Sequence, residues 1–578
     1  MISEAMSCRD RNHKLVGILV GSFLFTAPAA FVLWQNTHLT ALWDLSYILE
    51  NATRISLGQR PYRDFPFPYA PLTFVVQAAI IKLFGRAILH HYLYAAFTAG
   101  VGSLLTWRIL LRVMATSRLP ARLIAFLLCL PLIFLGIGSI FPHPFYDFDC
   151  TLFMLFCAWL LLRLESSEFP ALGTFVCGAM LVVPLFIKQN TGLAFLVSAV
   201  VCVAWLGVRK RRAAALLLAG AATGLACALA LFQYTVGLTN YYHWTIEFAA
   251  ARRLPGLTTM LGVYRDSALI WPALAVASGL ALFQVPQFAR RMALRWIGAS
   301  LLALPFFAAL AALYFQDNAS DRVEALLRIW PVLLVTSLGL GLWQLRRSST
   351  VAKLLPLILL GSIHGAFLSQ QLWGSTYALW PLLMILIASI LAALAPKEQS
   401  GGASAGGEAS AVPLTAFAAV ACIALLIAGG YYALSHERLD YADLSGDTLF
   451  RSSLPALRGL GMRGNWLPDF EELVAYSERE IPRGDAIMEI PGEDLFYFAT
   501  GRTPQFPVIL MDNTVNPYSA AELAELARKR NVRWLIVKRE LQLQEQPLAF
   551  RPQLLGLLSR DYSLAESLNN YDIYRRNE

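Results

Sequence analysis

Long apolar stretches separated by short polar loops dominate the chain from Leu15 to Ala433. A bilayer core about 30 Å thick takes roughly 17 to 25 apolar residues per helical crossing, and windows of that kind recur with few charges inside them. Backbone polar groups in lipid must be satisfied within the segment, so the pattern predicts helices and not barrel strands. With a first span at 15–33, further spans fall at 91–111, 122–140, 151–163, 171–187, 192–207, 213–233, 268–284, 296–315, 329–344, 354–369, 377–395 and 414–434, about thirteen in all. Between the first two, Pro71 to Phe84 is apolar but short for a crossing, and is expected to lie at the interface or to re-enter from outside.

Basic residues set the orientation. Arg108, Arg112, Arg118 and Arg122, then Arg163, the run 209–212, then Arg290, Arg291 and Arg295, then Arg346, Arg347 and Lys353, and finally Lys397 all fall on one side with these spans. The positive-inside tendency makes that side and the N-terminus cytoplasmic. Arg9, Arg11 and Lys14 precede the first span, which has no small-residue cleavage site after it and is read as a retained helix. An odd number of crossings leaves the C-terminal segment extracytoplasmic, along with a first outer loop at 34–90.

The stretch 397–413, KEQSGGASAGGEASAVP, has the composition of a flexible linker and is placed in the cytoplasm. Past Tyr432 polarity rises. DAIMEI, VRWLIVK and YDIYR have strand character, and SAAELAELARKR from Ser519 has that of a capped helix. The expected fold is therefore a polytopic α-helical membrane domain at 1–434 followed by a small α/β extracytoplasmic domain at 435–578, of roughly 140 residues.

Composition agrees with this picture. The 578 residues are 57% hydrophobic and only 15% charged, with a mean hydropathy of +0.54, so lipid serves as solvent for most of the chain. The net charge of +9 would suggest nucleic acid in a soluble protein, but here the cations sit in loops between spans, and nucleic acid is excluded as a partner in favour of membrane lipids. Of eight cysteines, Cys129, Cys157, Cys177, Cys202, Cys227 and Cys422 lie in apolar runs without a CxxC pair or a histidine at metal spacing. They are read as small core residues.

Polar chemistry is expected on the outer loops. The first reads WDLSYILENATRISLGQRPYRDFPFPYAPLTF from Trp43 and holds Asp44, Glu50, Arg54, Arg60, Arg63 and Asp64 among many aromatics. Asp44, Tyr47 and Asn51 have the spacing of one helical face; a helix N-cap is the plainer use of Asp44. The second outer loop, FPHPFYDFD from Phe141, presents His143, Asp147 and Asp149. These could share a metal, position an acceptor or cap the next helix, although two aspartates one residue apart do not share a helical face. Lys188, Gln189 and Asn190 end span five on the outer side, and His243, Glu247, Arg252, Arg253, Arg265, Asp317, Asp321, Arg322 and Arg328 follow in later outer loops. Snorkelling accounts for one lysine at a helix end. Arginines on the disfavoured side suggest an anionic ligand such as a lipid phosphate, with the nearby acids as the alternative partners.

The order Asp44, then Gly58, Tyr62 and Asp64, then Pro68 and Pro71, then Leu83, Phe84 and Gly85 resembles the GT-C glycosyltransferases. The resemblance is to the branch of the lipid A aminoarabinose transferase and the protein O-mannosyltransferases, and its specific part is confined to roughly the first 190 residues. It implies a hexosyl- or pentosyltransferase of a bacterial inner membrane that moves a sugar from a polyprenyl-phosphate donor to a glycan, lipid or protein acceptor on the outer face. An acceptor hydroxyl must lose a proton as it attacks the anomeric carbon, which gives Asp44 the part of base. Asp147 or Asp149 would be the acid of the second loop, and Arg63, Lys188 or later arginines would hold the leaving phosphate. Tyr62, Asp64, His143 and Gln189 complete the implied substrate-binding set. No resident cofactor is implied beyond the donor, and a divalent metal is left open. The chain departs from the family where Phe67 and Tyr69 flank Pro68, a place where members often carry a basic residue. Rival classes are a transporter or flippase of lipid-linked sugars, a surface polysaccharide polymerase or ligase, and an inactive relative. Against the first stand the lack of an evident repeat and the near absence of charge within the spans.

Overall fold

A computed structural model describes residues 2–117, 119–139, 141–253, 261–289, 291–315, 329–345, 350–368, 378–395, 411–434, 448–542 and 550–577. Arg118, Arg290, Arg346, Arg347, Lys397, Asp317, Asp321, Arg322, Arg328 and most of the 397–413 linker lie outside these residues, as do the side chains of Arg9, Arg11, Arg252 and Arg253.

Each predicted apolar stretch contains a helix. The first ten helices that matter here are α1 (Ile2–Gln35), α2 (Trp43–Ser56), α3 (Leu72–Phe84), α4 (Ile88–Val113), α5 (Ala121–Cys129), α6 (Leu132–Leu135), α7 (Tyr146–Ser166), α8 (Ala171–Met180), α9 (Gln189–Leu206) and α10 (Arg211–Thr235). Further apolar helices follow at Ile270–Gln284, Met292–Phe315, Ile329–Leu345, Val351–Phe367, Trp380–Leu394 and Val412–Leu434. Among the described residues seven helices are long and apolar enough to cross a membrane. Others are shorter, such as Trp380–Leu394 with 15 residues. That helix is buried on almost every side and forms the centre of the bundle. By contrast α1 and α10 leave Leu15, Ile18, Leu19 and Leu231 exposed, as lipid-facing helices do.

Two local features depart from the pattern reading. The stretch at 122–140 is broken into α5 and α6 at Pro131, which has no N–H to continue the helical ladder. The short span at 151–163 is a helix of 21 residues that starts five positions earlier, inside the second outer loop. Asp147 and Asp149 thus occupy its first turn, where the helix dipole favours negative charge. Close helix contact depends on small residues: a Cβ at Gly178 of α8 or at Gly220 of α10 would collide with the carbonyl of Leu217 or Phe175 on the facing helix.

The C-terminal segment holds the three expected strands as β3 (Ala486–Ile490), β4 (Val532–Lys538) and β6 (Tyr571–Arg576), together with β5 (Tyr562–Ser567). They form one mixed sheet in the order β3-β4-β6-β5, in which only β3 and β4 run parallel. The helix Ala520–Lys529 is closed by a capping box between Ser519 and Glu522. A small hairpin of β1 (Leu449–Arg451) and β2 (Gly461–Arg463) was not legible in the pattern, because each strand has three residues.

This sheet domain does not stand apart from the first outer loop. Leu39, Leu42, Leu45, Leu49 and Ala52 share one hydrophobic core with Leu457, Met462, Phe470, Leu495, Phe496, Phe498, Trp534 and Tyr571. The backbone of Leu39 also pairs with the hairpin, donating to Gly461 O at 2.9 Å and accepting from Arg463 N at 2.8 Å.

Candidate active site

Helix α2 is amphipathic on two sides. Leu42, Leu45, Leu49 and Ala52 follow the helical repeat toward the C-terminal domain, and the face bearing Asp44, Tyr47 and Asn51 looks elsewhere. The helix begins at Trp43 with Leu42 as N-cap and no side-chain cap, so Asp44 lies within the first turn, half-buried. One turn on, the Tyr47 ring meets those of Tyr69 at 5.4 Å and Phe74 at 6.0 Å. Tyr69 in turn lies 5.1 Å from Tyr146 of the second loop, and the Lys188 ammonium is 5.7 Å from the Tyr146 ring. A file of three tyrosines therefore leads from the Asp44 face to Lys188.

Lys188 is paired with Asp147, and the two side chains are only 7% and 13% exposed. Its neighbour Gln189 donates through Nε2 to Pro68 O at 2.9 Å and to Thr245 O at 3.4 Å, and accepts from Ala70 N at 3.2 Å through Oε1. One residue thus fixes the proline segment of loop one beside the cation. Loops one and two also meet where Asn36 donates to Pro142 O.

Asp149 faces the other way, as its helical offset from Asp147 requires. Its Oδ2 accepts from Thr73 Oγ1 at 2.6 Å and its Oδ1 from the Tyr94 hydroxyl at 2.7 Å, so it joins α7 to α3 and α4 in a buried seam. His143 is fully buried between Phe141 and Phe145, and burial pushes its imidazole down to about 3, which keeps the ring neutral.

Tyr62 is also buried. It adopts a φ of 67°, donates its hydroxyl to Tyr69 O at 2.7 Å and accepts at its carbonyl from Trp244 Nε1 at 3.2 Å. Asp64 is exposed and closes a turn by accepting from Arg60 N at 2.7 Å, and Arg63 beside it is exposed. Tyr62 and Asp64 are thus engaged in shaping loop one itself. In the later loops His243 pairs with Glu247 at 3.0 Å on an exposed surface, and Arg265 is exposed. Among the described residues no group of three or more His, Cys, Asp or Glu side chains is placed to hold a metal.

Several contributors escaped the sequence reading. Tyr69 and Tyr146 carry no mark in the sequence beyond being aromatic, and Thr73 and Tyr94 sit in apolar stretches where nothing marks them.

No protein-family model and no curated protein matches the chain. Among solved structures the chain is similar to ArnT from Cupriavidus metallidurans bound to undecaprenyl phosphate, at 12% identity over 97% of this chain and 98% of that one, with a TM-score of 0.44. It is similar also to the Archaeoglobus fulgidus oligosaccharyltransferase in complex with Zn and sulfate, at 10% identity over 95% and 72% of the two chains and a TM-score of 0.49. A third is arabinofuranosyltransferase AftD from Mycobacteria, at 15% identity over 96% and 40%, with a TM-score of 0.41. These structural neighbours are GT-C glycosyltransferases. All three TM-scores are below 0.5, so what the site does has to be judged on its own geometry.

Proposed function

We propose that the protein is a membrane glycosyltransferase that moves a sugar from a polyprenyl-phosphate donor to an acceptor hydroxyl at the outer face of a bacterial inner membrane. The observation that carries this is the file Tyr47, Tyr69, Tyr146, which joins the helix face of Asp44 to the Lys188 cation at one end of the bundle. A carboxylate and a cation linked by aromatic faces suit a substrate whose reacting centre lies between a hydroxyl and a phosphate.

In this scheme Lys188 exchanges Asp147 for the donor phosphate and holds the charge that grows on it as the glycosidic C–O bond breaks. Asp44 takes the proton of the acceptor hydroxyl as its oxygen bonds to the anomeric carbon. The products are the glycosylated acceptor and the free polyprenyl phosphate. The tyrosine faces supply stacking surface for the sugar ring. Asp149 is a positioning residue, holding the first turn of α7 so that Asp147 presents to Lys188. The orientation goes with the charge pattern: N-terminus cytoplasmic, both outer loops and the C-terminal domain outside.

Purified protein given a labelled polyprenyl-phosphate sugar and a set of glycan, lipid and peptide acceptors tests the scheme. Asp44→Asn should insert and fold normally and lose transfer by a factor of at least about 10², the low end of a base's contribution. Near-normal turnover in that variant would remove Asp44 from the mechanism.

A further inference from the structure

The C-terminal domain grips α2 along its whole length. Ahead of the helix, Leu42 N donates to Gln542 Oε1 at 2.6 Å. At its end, Arg54 donates to Pro507 O at 2.8 Å and Phe506 O at 3.3 Å, and Gln59 donates to Pro504 O at 2.8 Å. Midway, the buried Glu50 accepts the backbone N–H of Phe498 at 2.9 Å through Oε1. Phe498 belongs to the short helix Phe496–Thr500, whose carbonyls at 498 and 499 also receive Arg86 from the loop between α3 and α4, at 2.6 Å and 3.4 Å.

We propose that the C-terminal domain is a positioning platform for α2, and that Glu50 is the positioning residue that pins the helix to it. The inference builds on the transferase scheme only in making Asp44, one and a half turns up the same helix, the group that is held in place. Seen this way the domain is not an accessory on a tether. It backs α2 on the side away from the Asp44 face, so the helix is held from behind by residues of the C-terminal segment.

The chemistry around Glu50 supplies a readout that a merely space-filling residue would not give. Facing it are Arg54 on its own helix, Asp494, Glu489 of β3, Tyr497 and Arg86, while the His91 ring of α4 packs on the neighbouring Phe498 at 5.6 Å. Burial, with help from the Asp494 charge and against the hydrogen bonds from Phe498 and Tyr497, pushes the Glu50 carboxyl up to about 8 from its ordinary 4.5. Glu489 is raised in the same way, by burial and by Glu50 itself. Docking of α2 therefore takes up a proton. Between the ordinary value and about 8 the docked state binds more protons than the released one, so docking weakens as pH rises through that window and levels off above it.

The test is hydrogen exchange of residues 43–56 in the full-length protein in lipid nanodiscs, for wild type, Glu50→Gln and Glu50→Ala, with sugar transfer measured on the same samples. Wild-type protection, corrected for intrinsic exchange, should fall relative to Glu50→Gln by up to about tenfold per pH unit between about pH 5 and 8, then run parallel to it. Glu50→Ala, which leaves the Phe498 N–H without its acceptor, should lower protection of 43–56 at every pH and lower kcat with little change in donor KM. Identical pH dependence in wild type and Glu50→Gln, or wild-type protection in Glu50→Ala, overturns the proposal. If α2 responds as expected while wild type transfers no sugar, the platform stands and the transferase scheme falls. If wild type transfers and α2 is indifferent to Glu50, the reverse holds.

Discussion

Replacing Lys188 by Met separates a structural role of the Asp147–Lys188 pair from a role in binding phosphate. With side chains only 7% and 13% exposed, neither partner can recover much hydration once the other is gone. Removing one member of a buried pair typically costs 3 to 5 kcal/mol, and the slight water access at Asp147 places this one near the lower end, at about 3 kcal/mol. Lys188→Met should accordingly lower the thermal midpoint of the detergent-solubilised protein and abolish transfer. Asp147→Asn combined with Lys188→Met removes both charges together, and pairs exchanged for neutral residues are often close to neutral in stability. The double variant should thus regain most of the lost stability with no transfer, so its cost should fall well below the sum of the two single costs. Asp147→Asn alone leaves the ammonium without its resident carboxylate and should lower the donor KM. Recovery of transfer in the double variant would refute the assignment, because a cation that can be deleted alongside its partner is not holding a substrate.

Asp149 loses one donor in Thr73→Val and the other in Tyr94→Phe; each should cost about 1 to 3 kcal/mol in thermal unfolding, and the pair together should exceed either alone by leaving the buried carboxyl without a donor. Gln189→Leu strands Ala70 N and Pro68 O, so exchange and proteolysis at residues 65–72 should quicken, with transfer reduced although no charge has changed; unaltered exchange there would show that packing of Tyr62, Phe67 and Phe74 suffices to hold the segment.

Much of the membrane architecture was legible, because an apolar helix in lipid must satisfy its backbone internally and cannot hide its composition. What escaped were features decided by partners far along the chain. The period of α7 says that Asp147 and Asp149 diverge, but only the packing of α3, α4 and α9 decides that the first meets Lys188 and the second meets Thr73 and Tyr94. Asp44 had the composition of an N-cap, yet the helix starts at Trp43 with Leu42 in that place, since Leu42 is anchored from outside by Gln542. The hydroxyl of Tyr62 donates to Tyr69 O within the same loop, a contact that spacing alone does not reveal. The leucines of α2 announced an apolar face without naming what would cover it.

That uncovered face has a consequence for biogenesis. Glu50 and the Phe498 amide that it accepts are separated by 448 residues of chain. At translation rates of about 5 to 20 residues per second, the partner surface follows α2 out of the ribosome after roughly 20 to 90 s. During that interval Leu45, Leu49 and Ala52 have only Ala78, Ile81, Ile88 and Tyr92 of α3 and α4 to lie against and lack the C-terminal part of their core, and an amphipathic helix with part of its apolar face open settles on the lipid surface. The nascent loop would then wait on the membrane surface as a peripheral helix until the last segment arrives and lifts it off, which makes the end of synthesis the step that completes the site.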